Sequence, residues 1–261
     1  MRFTTTLRVN LTRLLRVALL GSAALLGGQP LALADAPCPA EPPAPLLHLQ
    51  HLRATLQHDM EAVVVAIGSS STEGVLASDP AHSYPATLQA ALERALPRIH
   101  IAVLNRGIGG QDAPEELARM QADAIAVHPQ LVIWQVGANG ALRNANPDEF
   151  RQMVTQGVTR LQEAGIDVIL MDNQHSPQID AAPEHGVLNA VLAEVAKETG
   201  SGLFSRAGLM ATWDQEGAPS ITFIASYGLH HNDRGYACVA SALADAILDG
   251  LRKPSSLSAR R

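Results

Sequence analysis

Five short apolar runs recur about 30 to 38 residues apart, at 62–67, 100–104, 131–136, 167–171 and 202–204. Between them, Leu88/Leu92/Ala95, Leu117/Met120/Ile125, Phe150/Val154/Val158/Leu161 and Leu188/Val191/Leu192/Val195 return at the spacing of one helix face, and a last such set runs from Tyr236 to Ile247. Strands separated by amphipathic helices pair in parallel through right-handed crossovers. The pattern therefore predicts an α/β protein built as a three-layer α/β/α sandwich, one open sheet with helices on both faces. Pro85, Pro114, Pro147 and Pro183 fall at or near helix starts, Asn232 and Asp233 form a cap for the last helix, and Gly165 and Gly200 fall where helices should stop. No internal repeat is visible.

The N-terminus reads as a secretory signal. Arg2, Arg8, Arg13 and Arg16 precede the apolar run 17–26, and Ala32-Leu33-Ala34 forms a cleavage site before Asp35. The run is about 10 residues where a membrane span needs about 20, which argues against a stable anchor. Asp35-Ala36-Pro37 before Cys38 argues against a lipidated cysteine. Cleavage after Ala34 leaves a chain destined for the periplasm or the outside. It also changes the charge: the first 34 residues hold four arginines and no acid, so 15 basic residues face 25 acids and the net charge falls from -6 to -10. Such a surface repels nucleic acid and anionic membranes. Aromatics at 3% argue against a long stacking cleft.

Residues 35–60 read as a proline-rich arm and lead-in, 61–251 as the folded domain and 252–261 as a tail. Cys38 and Cys238 are the only cysteines. In an oxidising compartment they are a disulfide candidate, with a pair of unpaired thiols as the alternative.

In an open parallel sheet the ligand site lies beyond the carboxyl ends of the strands. The loop after the first run is Gly68-Ser69-Ser70-Ser71-Thr72-Glu73-Gly74. It lacks the lysine of a phosphate loop and the spacing of a dinucleotide fingerprint, leaving a capped turn or a nucleophilic serine as readings. The loop after the second run is Asn105-Arg106-Gly107-Ile108-Gly109-Gly110-Gln111-Asp112, and after the third comes Gly137-Ala138-Asn139-Gly140. Glycine admits close backbone approach to a reacting oxygen, and an Asn side chain can donate to the same atom. Near the C-terminus, Tyr227-Gly228-Leu229-His230-His231-Asn232-Asp233 brings a histidine to the start of the last helix.

These segments resemble the SGNH, or GDSL-like, hydrolase superfamily. Its GDSxTxG matches GSSSTEG with Ser70 at the nucleophile position. Its NxGxxG matches at Asn105, Gly107 and Gly110, its GxND at Gly137 and Asn139, and its DGxHPNxxGY at Gly228, His230, Asn232, Gly235 and Tyr236. The resemblance implies a flavodoxin-like parallel five-stranded sheet and a serine esterase. Ser70 would attack an acyl carbonyl, His230 would carry the proton, and the Ser70 N–H, Gly110 N–H and Asn139 side chain would hold the oxyanion. No metal or organic cofactor is implied.

Three positions depart from that pattern: Ser69 and Gly140 replace aspartates, and Tyr227 stands where the superfamily has the acid that orients the histidine. Loss of that acid costs about 10⁴ in kcat in serine proteases. A backbone carbonyl near Ser226 or Tyr227, or a carboxylate from Glu73 or Asp172, are the candidate replacements, and a site that binds with little turnover is the remaining reading. Asp233 reads as a first-turn acid of the last helix. His231 reads as a rim or surface residue, and His175 as a neighbour of the site mouth. Trp134 reads as core, and Trp213 as either a flank of the mouth in an irregular stretch or loop packing. His48 and His51 read as a solvated helix face and not a metal site. The expected substrate is a small or polysaccharide-borne acyl ester. The alternatives are an acyltransferase or deacetylase acting on an exopolysaccharide, and a catalytically weak ligand-binding protein.

Overall fold

The computed structural model describes residues 37–252 except 43 and 46; the expected leader and most of the tail lie outside the described residues. Five strands, β1 (Glu61–Gly68), β2 (His100–Gly107), β3 (Leu131–Gln135), β4 (Asp167–Met171) and β5 (Gly202–Phe204), form one sheet of order β2-β1-β3-β4-β5. Every pairing is parallel, and the order is the flavodoxin-like one. Among the described residues ten α-helices accompany them: α1 (Gln50–His58), α2 (Ser70–Glu73), α3 (Tyr84–Ala95), α4 (Ala113–Asp123), α5 (Ala138–Leu142), α6 (Pro147–Glu163), α7 (Pro177–Asp180), α8 (His185–Thr199), α9 (Arg206–Gln215) and α10 (Asp233–Arg252). No helix among the described residues is long and apolar enough to cross a membrane.

Strand alternation splits the core in two. Ala62, Val64 and Ala66 of β1 pack with Leu88, Leu92, Leu243 and Ile247 on one face, while Val65 and Ile67 pack with Met120, Phe150, Val158 and Leu192 on the other. β3 and β4 are buried along their whole length, as strands covered on both faces must be. Each fully buried Leu, Val or Ile stabilises by about 1.5–3 kcal/mol before entropy is counted. The first core also takes in Leu47, Leu49 and Leu52, from the segment before residue 61. Asp167, opening β4, caps α1 by accepting from the Leu52 N–H at 2.9 Å.

Two local features differ from the sequence reading. β2 runs three residues further, through Asn105, Arg106 and Gly107. It is an edge strand, where polar side chains are tolerated because one side faces water. The stretch around Trp213 is helical: α9 buries Arg206, Leu209, Met210 and Trp213 at positions i, i+3, i+4 and i+7. Trp213 is a core residue, its ring 4.4 Å from that of Phe223, and does not flank the site. Trp134 lies in the second core as expected and donates to Glu116 at 2.8 Å. In the arm, Cys38 is bonded to Cys238 of α10, with their Cα atoms 5.4 Å apart across 200 residues of sequence.

Candidate active site

β1 is the strand where the sheet order reverses, so the loop leaving it sits at the crevice where such folds bind ligands. That loop turns at once into the single turn of α2, opened by Ser70. Beneath it, the buried Gln135 at the end of β3 receives three hydrogen bonds on Oε1, from the Ser69 N–H (3.2 Å), Ser69 Oγ (3.0 Å) and Thr72 Oγ1 (3.2 Å). Ser69, in place of the superfamily's aspartate, thus points down into the scaffold, and α2 is fixed from below. From the side, the β2 loop abuts α2 so closely that a Cβ on Gly107 would lie 2.0 Å from the Glu73 nitrogen. Asn105 closes this contact: its Oδ1 accepts from the Gly107 N–H (2.9 Å) and its Nδ2 donates to the Glu73 carbonyl (3.3 Å).

The last helix clamps the far side of the loop. Tyr236 Oη donates to the Val75 carbonyl at 2.8 Å, and Asp233 accepts from the Ser78 N–H at 2.8 Å. Between them Leu76 holds a left-handed φ of 68°, a conformation that costs a non-glycine residue about 1 kcal/mol or more and persists where surroundings enforce it. Asp233 is therefore occupied with the loop. Asn232 caps α10 by accepting from the Gly235 N–H at 2.9 Å.

Ser70 and His230 meet. Nε2 of His230 lies 2.8 Å from Ser70 Oγ, across 160 residues of sequence. The imidazole comes from a tight hairpin: Ile224 and His231 form an antiparallel bridge, the Ala225 N–H donates to the His230 carbonyl (2.8 Å), and the Gly228 N–H closes a turn on the Ala225 carbonyl (2.8 Å). Gly228 holds φ 71°, which a two-strand turn of this kind needs. Alternation along the bridge explains the two histidines. His230 faces Ser70, whereas His231 is fully buried, with Nδ1 3.2 Å from the Phe223 carbonyl and its ring edge-on to Tyr236. His231 is thus a core residue and not a rim residue. Burial pushes its pKa down to about 3, so it is neutral.

With Nε2 accepting the Ser70 proton, the remaining proton of a neutral ring sits on Nδ1. Among the described residues Nδ1 has no hydrogen-bond acceptor: neither the Ser226 or Tyr227 carbonyl nor the carboxylates of Glu73 and Asp172 bond it. The carbonyls of Tyr227, Gly228 and Leu229 accept from Gln178 Nε2 (2.6 Å), the Gln178 N–H (3.0 Å) and Gln174 Nε2 (2.7 Å). Asp172 is buried at the start of α9, accepting from Ser205 Oγ (2.5 Å) and the Ala207 N–H (3.2 Å), while its carbonyl accepts from Arg206 Nε (2.7 Å). It serves as a helix cap. Glu73 makes no hydrogen bond to the ring, although its charge acts on it. Tyr227 cannot supply a carboxylate and is 76% exposed. His175 pairs with Asp180 at 3.0 Å.

The charges around His230 favour the neutral ring. Burial pulls its pKa below the ordinary histidine value, the buried guanidinium of Arg206 adds to this, and Glu73 opposes it. Arg206 is 1% exposed.

Gly110 follows β2, beside Gly109, where a Cβ would lie 3.9 Å from Ser70 Cβ, and Asn139 lies in α5 just after β3. Asn139 Nδ2 donates one of its two protons to the Gln111 carbonyl at 2.7 Å. Arg119 of α4 braces this stretch: Nε donates to Gln111 Oε1 (2.5 Å) and one terminal nitrogen to the Gly68 carbonyl (2.9 Å). Gly140, the third departure, leaves its space to Asp112, whose oxygens would lie 3.0 and 3.2 Å from a Cβ there. A second aspartate would crowd that carboxylate. Arg119, Gln135 and Arg206 carry no motif and are recognisable only from the fold. His48 and His51 line a recess of about 480 Å³ with Gln162, Asp167 and Thr199 at the amino ends of the strands. No three described His, Cys, Asp or Glu side chains are grouped to hold a metal.

Sheet order, the Ser70 turn and the His230 hairpin together match the scaffold of an SGNH-type hydrolase. More narrowly, the chain belongs to the non-GDSL lipase-like family, whose model matches residues 35–253. No curated protein matches it by sequence. Its fold is similar to that of a two-domain esterase (CEX) active on acetylated mannans, at 20% identity and a TM-score of 0.68 over 80% of this chain. This chain spans 55% of that esterase's length. It is also similar to Axe2, an acetylxylan esterase from Geobacillus stearothermophilus (20% identity, TM-score 0.59, 74% of this chain and 95% of that one). A third likeness is to the psychrotrophic esterase EstA from Pseudoalteromonas sp. (18%, TM-score 0.61, 74% and 100%).

Proposed function

We propose that this protein is an exported serine esterase that removes acyl groups, acetyl foremost, from carboxylic esters through an acyl-enzyme on Ser70. The observation that carries this reading is the 2.8 Å hydrogen bond between Ser70 Oγ and His230 Nε2 at the carboxyl edge of the sheet. Ser70 Oγ attacks the carbonyl carbon and passes its proton to His230 Nε2. The N–H groups of Ser70 and Gly110 and the second proton of Asn139 Nδ2 meet the developing oxyanion, each such donor being worth about 3 to 4 kcal/mol. As the intermediate collapses, the C–O bond to the alcohol breaks and the alcohol leaves with the proton from His230. Water then attacks the acyl-enzyme by the same route, His230 taking its proton and returning it to Ser70 as the carboxylic acid departs.

His230 acts in a dyad. Its orientation rests on the hairpin backbone and the Ser70 bond, and the imidazolium forms beside Arg206 with Glu73 as its compensating charge. Slow turnover follows from that. Acetyl esters are favoured as substrates because the fold's relatives include esterases of acetylated mannan and xylan. Export is supported by the leader-like N-terminus and by the Cys38–Cys238 bond, which persists in oxidising compartments.

One observation favours a second reading. Among the described residues Nδ1 of His230 has no acceptor, as in a catalytically weak binding protein. Hydrolysis of p-nitrophenyl acetate and butyrate separates the two. The esterase reading expects free acid from the wild type and about 10³-fold or greater loss in both Ser70→Ala and His230→Ala. Equal background rates from all three folded proteins would leave the binding protein. Product appearing as a transferred ester in place of free acid would mark an acyltransferase.

A further inference from the structure

Tyr227 is the only exposed Phe, Tyr or Trp among the described residues: Tyr84, Tyr236, Trp134, Trp213, Phe150, Phe204 and Phe223 are all buried. It stands at the tip of the hairpin that carries His230, three residues before it. The backbone beneath it is held by the Gly228–Ala225 turn and by Gln178, which bonds the Tyr227 carbonyl through its side chain and the Gly228 carbonyl through its N–H. A large aromatic side chain 76% exposed on so tightly held a turn makes no packing contribution to match its apolar area. The geometry points to Tyr227 as a specificity residue, stacking on a pyranose ring of a neutral, acetylated glycan whose ester Ser70 cleaves.

Four arguments select that ligand. In the reaction, His230 protonates the leaving alcohol, so the hairpin bearing it borders the alcohol side, while Gly110 and Asn139 border the acyl oxygen. A residue on this hairpin therefore reads the alcohol. The face of a pyranose ring presents a patch of C–H groups, which suits the electron-rich face of an aromatic ring. The net charge of -6 over the whole chain disfavours polyanionic glycans. A turn already rigid before binding loses little entropy when the ring is covered.

This inference rests on the esterase reading, and the test separates them. Wild type, Tyr227→Ala and Tyr227→Phe are assayed on acetylated xylo- and manno-oligosaccharides, and on ethyl acetate and ethyl butyrate, which carry no ring. For Tyr227→Ala the ratio of kcat/KM on the oligosaccharide to that on ethyl acetate falls about tenfold, through KM and not kcat, the signature of lost uniform binding. Tyr227→Phe keeps the wild-type ratio. An unchanged ratio in Tyr227→Ala overturns the inference, as does an effect that follows acyl length from acetate to butyrate. Hydrolysis of ethyl acetate through Ser70 without any on the oligosaccharides overturns it while leaving the esterase intact. No hydrolysis of any ester removes both.

Discussion

Gly107 of β2 and Glu73 of α2 touch through their backbones: the space a methyl group would occupy on Gly107 is taken by the Glu73 nitrogen, 2.0 Å away, and by the Thr72 carbonyl carbon at 2.5 Å. This contact sets where α2, and with it Ser70, sits against β2. A Gly107→Ala substitution must push α2 off its seat. Overpacking of this kind costs about 1–3 kcal/mol, and a displacement near 1 Å at a reacting group costs about 10²-fold in rate. Thermal melts and kcat on p-nitrophenyl acetate check both. Activity within twofold of the wild type would mean that the contact does not position the nucleophile.

The pH profile follows from the charges on His230. The ring must be neutral to take the Ser70 proton, and burial with Arg206 pulls its pKa below 6.5 while Glu73 raises it. The acidic limb of kcat/KM therefore lies below pH 6.5, with activity rising as pH increases through it. Glu73→Gln removes the supporting charge, so the limb moves to lower pH and kcat falls by less than about tenfold. A loss near 10⁴-fold is what removal of a triad acid produces, and would show that Glu73 swings onto Nδ1 with substrate bound.

Glu116 makes stability depend on pH. It is fully buried, with one oxygen on Trp134 and the other without a partner among the described residues. Burial pushes its pKa from 4.5 to about 8, with Asp112 and Glu115 raising it further and Trp134 and Arg119 opposing. A carboxyl whose folded pKa is raised contributes fully below its unfolded value and loses that contribution as pH rises through the folded one. The window here runs from about 4.5 to about 8. Between pH 5 and pH 9 the wild type should lose more thermal stability than Glu116→Gln. Parallel curves would contradict this.

Cys38–Cys238 ties the arm to α10 and closes nearly the whole domain into one loop. Reduction, or Cys38→Ser with Cys238→Ser, should lower unfolding free energy by about 2–5 kcal/mol, measured by denaturant titration with and without dithiothreitol. Identical curves would show that the bond adds nothing.

The parallel sheet was legible because strands buried on both faces read as unbroken apolar runs, and the Ser70–His230 pair that the fold brings together was legible through the motif resemblance, since a serine at a helix start reads equally as a cap. What escaped was polar and buried. Arg206 opens the inward face of α9, and an arginine at the first of four buried positions hides the helical period that Leu209, Met210 and Trp213 complete. His231 reads as a surface residue by polarity, and only its bridge to Ile224 turns it inward. Asp172 has the chemistry of a triad acid, but its partners Ser205 and Ala207 lie more than 30 residues away in sequence. Gln135 and Arg119 hold the Ser70 loop and Gln111 by contacts that exist only once β1, β3 and α4 have packed.

The central claim is that Ser70 is a nucleophile made reactive by His230. Intact-protein mass spectrometry after exposure to a fluorophosphonate tests it most directly, on wild type, Ser70→Ala and His230→Ala. The account predicts a single adduct on Ser70 in the wild type, none in Ser70→Ala, and labelling slowed by at least about 10²-fold in His230→Ala. Folded wild-type protein that takes up no label, or labels equally fast without His230, would contradict it.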